Sequence, residues 1–110
     1  MATRQSTVDF VLEQIASVGG VTAKKLFGEY GLYCDGRIVA LICDDQLFVK
    51  PTTAGKAFVG RIIEAAPYPG AKPCLLISGD QIEDAKWLSK LIKISTAELP
   101  LPKKKARKKA

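Results

Sequence analysis

The six residues Ile38-Val39-Ala40-Leu41-Ile42-Cys43 are apolar at every position. A strand with one wet face alternates, whereas an unbroken, β-branched run of this length reads as a strand covered on both faces. Its flanks are turn formers. Asp35-Gly36 precedes it and Asp44-Asp45 follows it, and an Asp-Gly pair between extended runs is a strong hairpin signal. Glu29 to Tyr33, Arg37 to Cys43 and Gln46 to Lys50 are therefore expected to form an antiparallel meander. One layer of helices covers only one face of such a sheet. The other face has to meet something else, and a second subunit is one candidate.

Helical signals surround the meander. Ser6 with Asp9 reads as a helix start, since a hydroxyl caps free amides and an acid suits the positive end. Val8, Val11, Leu12, Ile15 and Val18 recur at helical spacing before Gly19-Gly20. Thr22 is expected to cap a short second helix over Ala23 to Phe27. Pro51-Thr52-Thr53 opens a third, with Phe58, Ile62 and Ile63 as its buried side. Pro67-Tyr68-Pro69-Gly70 is turn-rich, with room for a short edge strand, and Cys74 to Ser78 reads as a buried strand. Asp80 with Glu83 opens a long last helix to about Leu99, with Trp87, Leu88, Leu91 and Ile92 as its apolar stripe. The strands and helices follow the order α-β-β-β-α-β(-β)-α. That is an α+β domain, an antiparallel sheet packed with helices. It is expected to span residues 6–99, after a disordered stretch at residues 1–5. A chain of 110 residues has room for one such core.

The net charge of +6 suggests a nucleic-acid or acidic partner until it is mapped. Lys103, Lys104, Lys105, Arg107, Lys108 and Lys109 supply six cations without an anion, and the preceding 102 residues hold 11 charges of each sign. The body is neutral and the excess belongs to the end. Such a run repels itself and has no apolar face, so residues 100–110 read as a proline linker and a disordered basic tail. The tail suits non-specific, salt-sensitive contact with DNA or RNA. Lys86, Lys90 and Lys93 lie near one another on the last helix and extend that track, though a solvated helical face explains them equally well.

Chemistry is hard to assemble from these residues. The absence of histidine removes Ser-His and Cys-His pairs. Cys34, Cys43 and Cys74 are an odd number, widely spaced, and read as buried structural thiols in a cytoplasmic protein, not as a disulfide framework or a zinc site. Cys34, at the hairpin, is the most exposed candidate, and an acid beside it, Asp35, does not activate a thiol. Asp44-Asp45 is read as a turn, not a metal pair. Lys50, Thr52, Thr53 and Lys56 at a helix start form at most a weak phosphate site, because Gly55-Lys56 lacks the flanking residues of a phosphate loop. No catalytic, cofactor-binding or metal residue is assigned, no apolar stretch reaches the roughly 20 residues of a membrane span, and an enzyme is not expected.

Three segments carry a resemblance to a known family: Lys25-Leu26-Phe27-Gly28-Glu29-Tyr30-Gly31-Leu32-Tyr33-Cys34-Asp35-Gly36, Leu47-Phe48-Val49-Lys50-Pro51-Thr52 and Pro67-Tyr68-Pro69-Gly70-Ala71-Lys72-Pro73. In order and spacing they resemble the N-terminal domain of the TfoX/Sxy family, over a span from about Ser6 to Leu99. The resemblance implies an α+β fold of the secretion-chaperone-like type. It also implies a regulator of natural competence, acting with the cyclic-AMP receptor protein at promoters and without a catalytic centre. Full-length relatives carry a second, C-terminal domain, where this chain has its basic tail, so a stand-alone N-terminal domain is expected.

The leading expectation is a non-catalytic regulatory or adaptor domain that contacts another protein, a transcription regulator by resemblance. The sheet's second face is the expected surface, with Tyr30, Tyr33 and Phe48 as anchors, because aromatic side chains dominate interface energetics. The alternative is a small nucleic-acid-binding protein that uses its basic tail.

Overall fold

Both two-residue connections close tight hairpins. Asp35 and Gly36 have φ of 53° and 83°, and Asp44 and Asp45 have 52° and 59°. Positive φ at both central residues is the turn whose twist matches paired strands. The computed structural model, which describes residues 3–26 and 29–99, extends this meander into a six-stranded sheet. Its strands are β1 (Val21–Leu26), β2 (Glu29–Cys34), β3 (Arg37–Cys43), β4 (Gln46–Val49), β5 (Glu64–Ala65) and β6 (Cys74–Ile77). They lie in the order β1-β2-β3-β4-β6-β5, antiparallel throughout. The architecture is α+β.

β3 is the apolar run, and it is buried on both sides. Its register against β2 slips by one residue: Leu32 sits opposite Ala40 and Tyr33 opposite Ile38. Val39 is the extra residue of a β-bulge, which breaks strict alternation. Val39, Ala40 and Ile42 join the main core, while Leu41 and Cys43 pack with Ile38 on the opposite face. Without the bulge, Val39 would share a face with Leu41 and Cys43.

The helices cover the first face. Val8 and Val11 of α1 (Gln5–Gln14) and Leu88, Leu91 and Ile92 of α4 (Ala85–Glu98) meet Leu32, Ile42 and Leu47 there. Fully burying each such side chain contributes about 1.5–3 kcal/mol. α2 (Thr53–Val59) lies against α4 through Gly55. A Cβ at Gly55 would stand 2.7 Å from Thr52 Oγ1 and 2.9 Å from Ser95 Oγ. Thr52 Oγ1 accepts the Gly55 N–H at 2.9 Å as the helix cap, so it cannot retreat without uncapping α2.

Four sequence expectations need correction. The short helix over Ala23 to Phe27 is instead β1, an edge strand whose Val21 and Ala23 pack on the core while Lys24 and Lys25 stay exposed. Period-two alternation and pairing with β2 outweigh local helical propensity there; Phe27 itself lies outside the described residues. The third helix stops at Val59, because Gly60 takes φ 77°, and so Ile62 and Ile63 stand exposed beyond its end. The last helix is two: α3 (Gly79–Glu83) carries a capping box of Ser78 and Gln81, and Asp84 then caps α4 by accepting Trp87 N–H at 3.1 Å. Ser6 does not cap α1, whose cap position is Arg4, two residues earlier, so that the helix begins at Gln5.

The start of α1 is instead tied down from far away in sequence. Asp45 Oδ1 accepts Arg4 N–H at 2.9 Å and Thr7 Oγ1–H at 2.8 Å, and Arg4 Nε donates to Asp45 Oδ2 at 3.2 Å. Thr3 Oγ1 donates to Glu29 and accepts Asp45 N–H. The β3–β4 turn is thus tied to the start of the chain. These bonds, the Arg4 amide first, hold the Asp45 carboxyl below its ordinary range.

An acid whose pKa is lowered by folding contributes stability above its unfolded pKa of about 3.9 and loses it as pH falls through the folded value. Asp45→Asn is therefore expected to destabilise the protein at pH 7 and to make little difference near pH 2.5. Urea unfolding at both pH values checks this, and an equal loss at both would exclude the ionised form as the tie.

Candidate functional site

Strand alternation decides which side chains reach the second face. Tyr33, Ile38, Leu41, Cys43, Phe48 and Leu76 stand on it, from β2 across to β6. Among the described residues no helix lies over them; the small cluster there is built from strand residues alone. A groove of about 360 Å³ opens on this face. Ile38, Leu41 and Cys43 line it, Tyr68 from the turn after β5 borders it, and Glu29 and Lys50 supply one charge of each sign. Tyr68 is 51% exposed, while Leu41 and Cys43 are almost covered.

The three expected anchors separate. Tyr30 is on the helix face, buried, and its hydroxyl donates to Gln5 Oε1 of α1 at 3.0 Å. Tyr30 and Tyr33 are three residues apart in a strand, and odd spacings point to opposite faces; that parity was available in the sequence. Tyr33 is on the second face, half-buried, with Lys24 Nζ 5.3 Å from its ring centroid. Phe48 is on the same face but buried, at 3% exposure. Ile38 and Tyr68 form the accessible part, and the buried Tyr30 still borders the groove. The bulge that turns Ile38 and Leu41 to one side had no sequence signal, and Tyr68 was visible only as a turn residue.

The basic residues divide similarly. Lys86, Lys90 and Lys93 are exposed on α4. Lys90 Nζ stands 5.9 Å from the Phe58 ring, which itself packs on Trp87 at 5.5 Å. Lys103, Lys104, Lys105, Arg107, Lys108 and Lys109 lie outside the described residues. Lys56 pairs with Glu64 at 3.8 Å, and Thr52 is occupied as a cap.

The cysteines are free and buried, as expected of structural thiols, and Cys34 at the hairpin is no more exposed than the other two. Burial, with Glu29 adding repulsion, pushes the Cys43 thiol up to about 11. Burial also raises Cys74, against the pull of Lys50. Neither is tuned as a nucleophile, which requires a depressed pKa. Asp45 is engaged with α1. Among the described residues no cluster of three or more Cys, Asp or Glu side chains is arranged to hold a metal ion, and no helix is long and apolar enough to cross a membrane.

Comparison with known proteins agrees with the fold-level resemblance. The family model of the TfoX N-terminal domain matches residues 13–99. An uncharacterised 12.7 kDa protein in the trpE 5′ region of Spirochaeta aurantia is 38% identical over 103 residues, covering 94% of this chain and 89% of that protein. The chain belongs to the TfoX N-terminal domain family.

At pH 8 a thiol with a pKa of about 11 is only about one-thousandth ionised, against about a quarter for a free cysteine. Cys43 is expected to react with a thiol reagent at least about a hundredfold more slowly in the native protein than after denaturation. Peptide mapping of the labelled protein checks this. Native labelling of Cys43 at the free-thiol rate would contradict the buried, neutral state.

Proposed function

We propose that this TfoX N-terminal domain protein is a non-catalytic regulatory adaptor whose second sheet face docks an apolar segment of a protein partner. The supporting observation is the groove of Ile38, Leu41 and Tyr68 on the face without helices. Its apolar lining supplies burial, and Glu29 and Lys50 at its border supply opposite charges that orient what enters. Family membership favours a transcription regulator as the partner and gene regulation, with competence as the family's theme, as the process. Three free thiols suit a cytoplasmic setting.

The test compares Ile38→Glu and Tyr68→Ser with Phe10→Ser, which alters an exposed aromatic on α1 instead. The wild type and Phe10→Ser are expected to capture the same regulator and to bind it after both proteins are purified. The groove variants should bind at least about tenfold more weakly at unchanged melting temperature. Equal affinity in the groove variants overturns the assignment of this face.

A second reading, non-specific nucleic-acid binding, is favoured by Lys86, Lys90 and Lys93, none of which forms an ion pair among the described residues. Each engaged cation contributes about −0.9 to the slope of log affinity against log salt on duplex DNA. Removing residues 103–110 is expected to make a slope of about −8 shallower by about 5. An unchanged slope rules out the tail as the contact.

A further inference from the structure

On the helix side of the sheet, away from the groove, a notch of about 240 Å³ opens between the β2–β3 turn and the last turns of α4. Arg37, Lys93, Thr96 and Asp35 are its polar lining. Arg37 Nε and Thr96 Oγ1 are both buried, and neither has a hydrogen-bond partner among the described residues. Thr96 is only 5% exposed. Buried donors without partners are rare and costly, and two of them here line the same notch. Neither Arg37 nor Lys93 is in an ion pair among the described residues.

Of the nearby acids, Asp35 lines the notch with its carboxylate over Gly20, and Glu98 is turned to the α2 side. A Cβ on Gly20 would stand 2.6 Å from Asp35 Oδ1, so the Asp35 carboxylate lies over Gly20, and the Asp35 N–H donates to Gly20 O at 3.2 Å. Glu98 Oε1 accepts Ala54 N–H at 3.0 Å on the α2 side. The carbonyl end of α4 disfavours an anion, but Leu99 N–H already occupies the Ser95 and Thr96 carbonyls, each at 3.2 Å.

We infer that Arg37, Lys93 and Thr96 form a binding site for a phosphate group. Two cations and a hydroxyl match its acceptor oxygens and its charge of between one and two at neutral pH. A single carboxylate would neutralise only one of the cations. The phosphate group belongs either to a free phosphate or to a nucleic-acid backbone, and Lys93 lies on the α4 stripe that would lead a backbone to the notch.

The test uses the full chain, labelled with ¹⁵N, titrated in separate arms with inorganic phosphate, with an oligothymidylate bearing hydroxyl ends, and with chloride at matched ionic strength. The Arg37 Nε–Hε and Thr96 amide resonances are expected to move saturably with phosphate, with the oligonucleotide, or with both, and not with chloride. The responding arm identifies the source. Arg37→Met should weaken binding at least about tenfold and Lys93→Met about threefold. Thr96→Val keeps the side-chain shape and removes the hydroxyl; it should weaken binding while the melting temperature holds or rises. Resonances that move no more than in chloride overturn the site, as does unchanged affinity in folded Arg37→Met or Thr96→Val. Neither result bears on the groove.

Discussion

Burial of β3 on both faces is the constraint on which the rest of this structure depends. A strand with apolar side chains on two sides needs two coverings, and the β-bulge at Val39 sets how they divide. Val39, Ala40 and Ile42 go to the helices, and Ile38, Leu41 and Cys43 go to the other side. The helix side receives the larger core, closed by α1, α2 and α4. The second side receives a smaller cluster made by the strands themselves, which leaves a groove where a helix would otherwise lie. The candidate interaction face is therefore a consequence of how one strand distributes its side chains.

The layer of helices is held by contacts that leave little room for alternatives. The start of α1 is tied to an acid of the β3–β4 turn through Arg4 and Thr7, so the first helix and the meander stabilise each other. Asp44 and Asp45 adopt left-handed backbone conformations that Asp tolerates better than most residues. The Asp45 carboxylate, in turn, is engaged by Arg4 and Thr7. α2 approaches α4 across Gly55, where the absence of a side chain lets the Thr52 cap and the Ser95 hydroxyl stand close. These contacts place the end of α4 beside the β2–β3 turn, which brings Lys93 and Thr96 to Arg37.

Membership of the TfoX N-terminal domain family accounts for the fold and points to regulation in general, while this chain's own residues form the two surfaces proposed for contact. The two surfaces differ in physics. The groove offers apolar burial with modest charge, which suits a protein segment; the notch offers cations and unpaired donors, which suit a phosphate. They lie on opposite sides of the sheet, so occupation of one does not block the other.

The amino-acid sequence by itself determined the elements whose signals are local. The apolar run of β3, its two turns, the strand at Cys74 and the periodic stripes of α1 and α4 were all legible, because a period of two or 3.6 and a turn residue report nearby backbone geometry. So was the neutrality of the body once the charge had been mapped. Tertiary structure decided what depends on a distant neighbour. Val21 to Leu26 became a strand because β2 was there to pair with it, and α1 started at Gln5 where Asp45 could reach it. Tyr30 was taken by the core, and Ile38 came to the surface through a one-residue slip in register. Arg37 and Thr96 meet across 59 positions of chain. Such a meeting leaves no mark in a local pattern, because it is set by the packing of α4 on the sheet and not by either residue's neighbours in sequence.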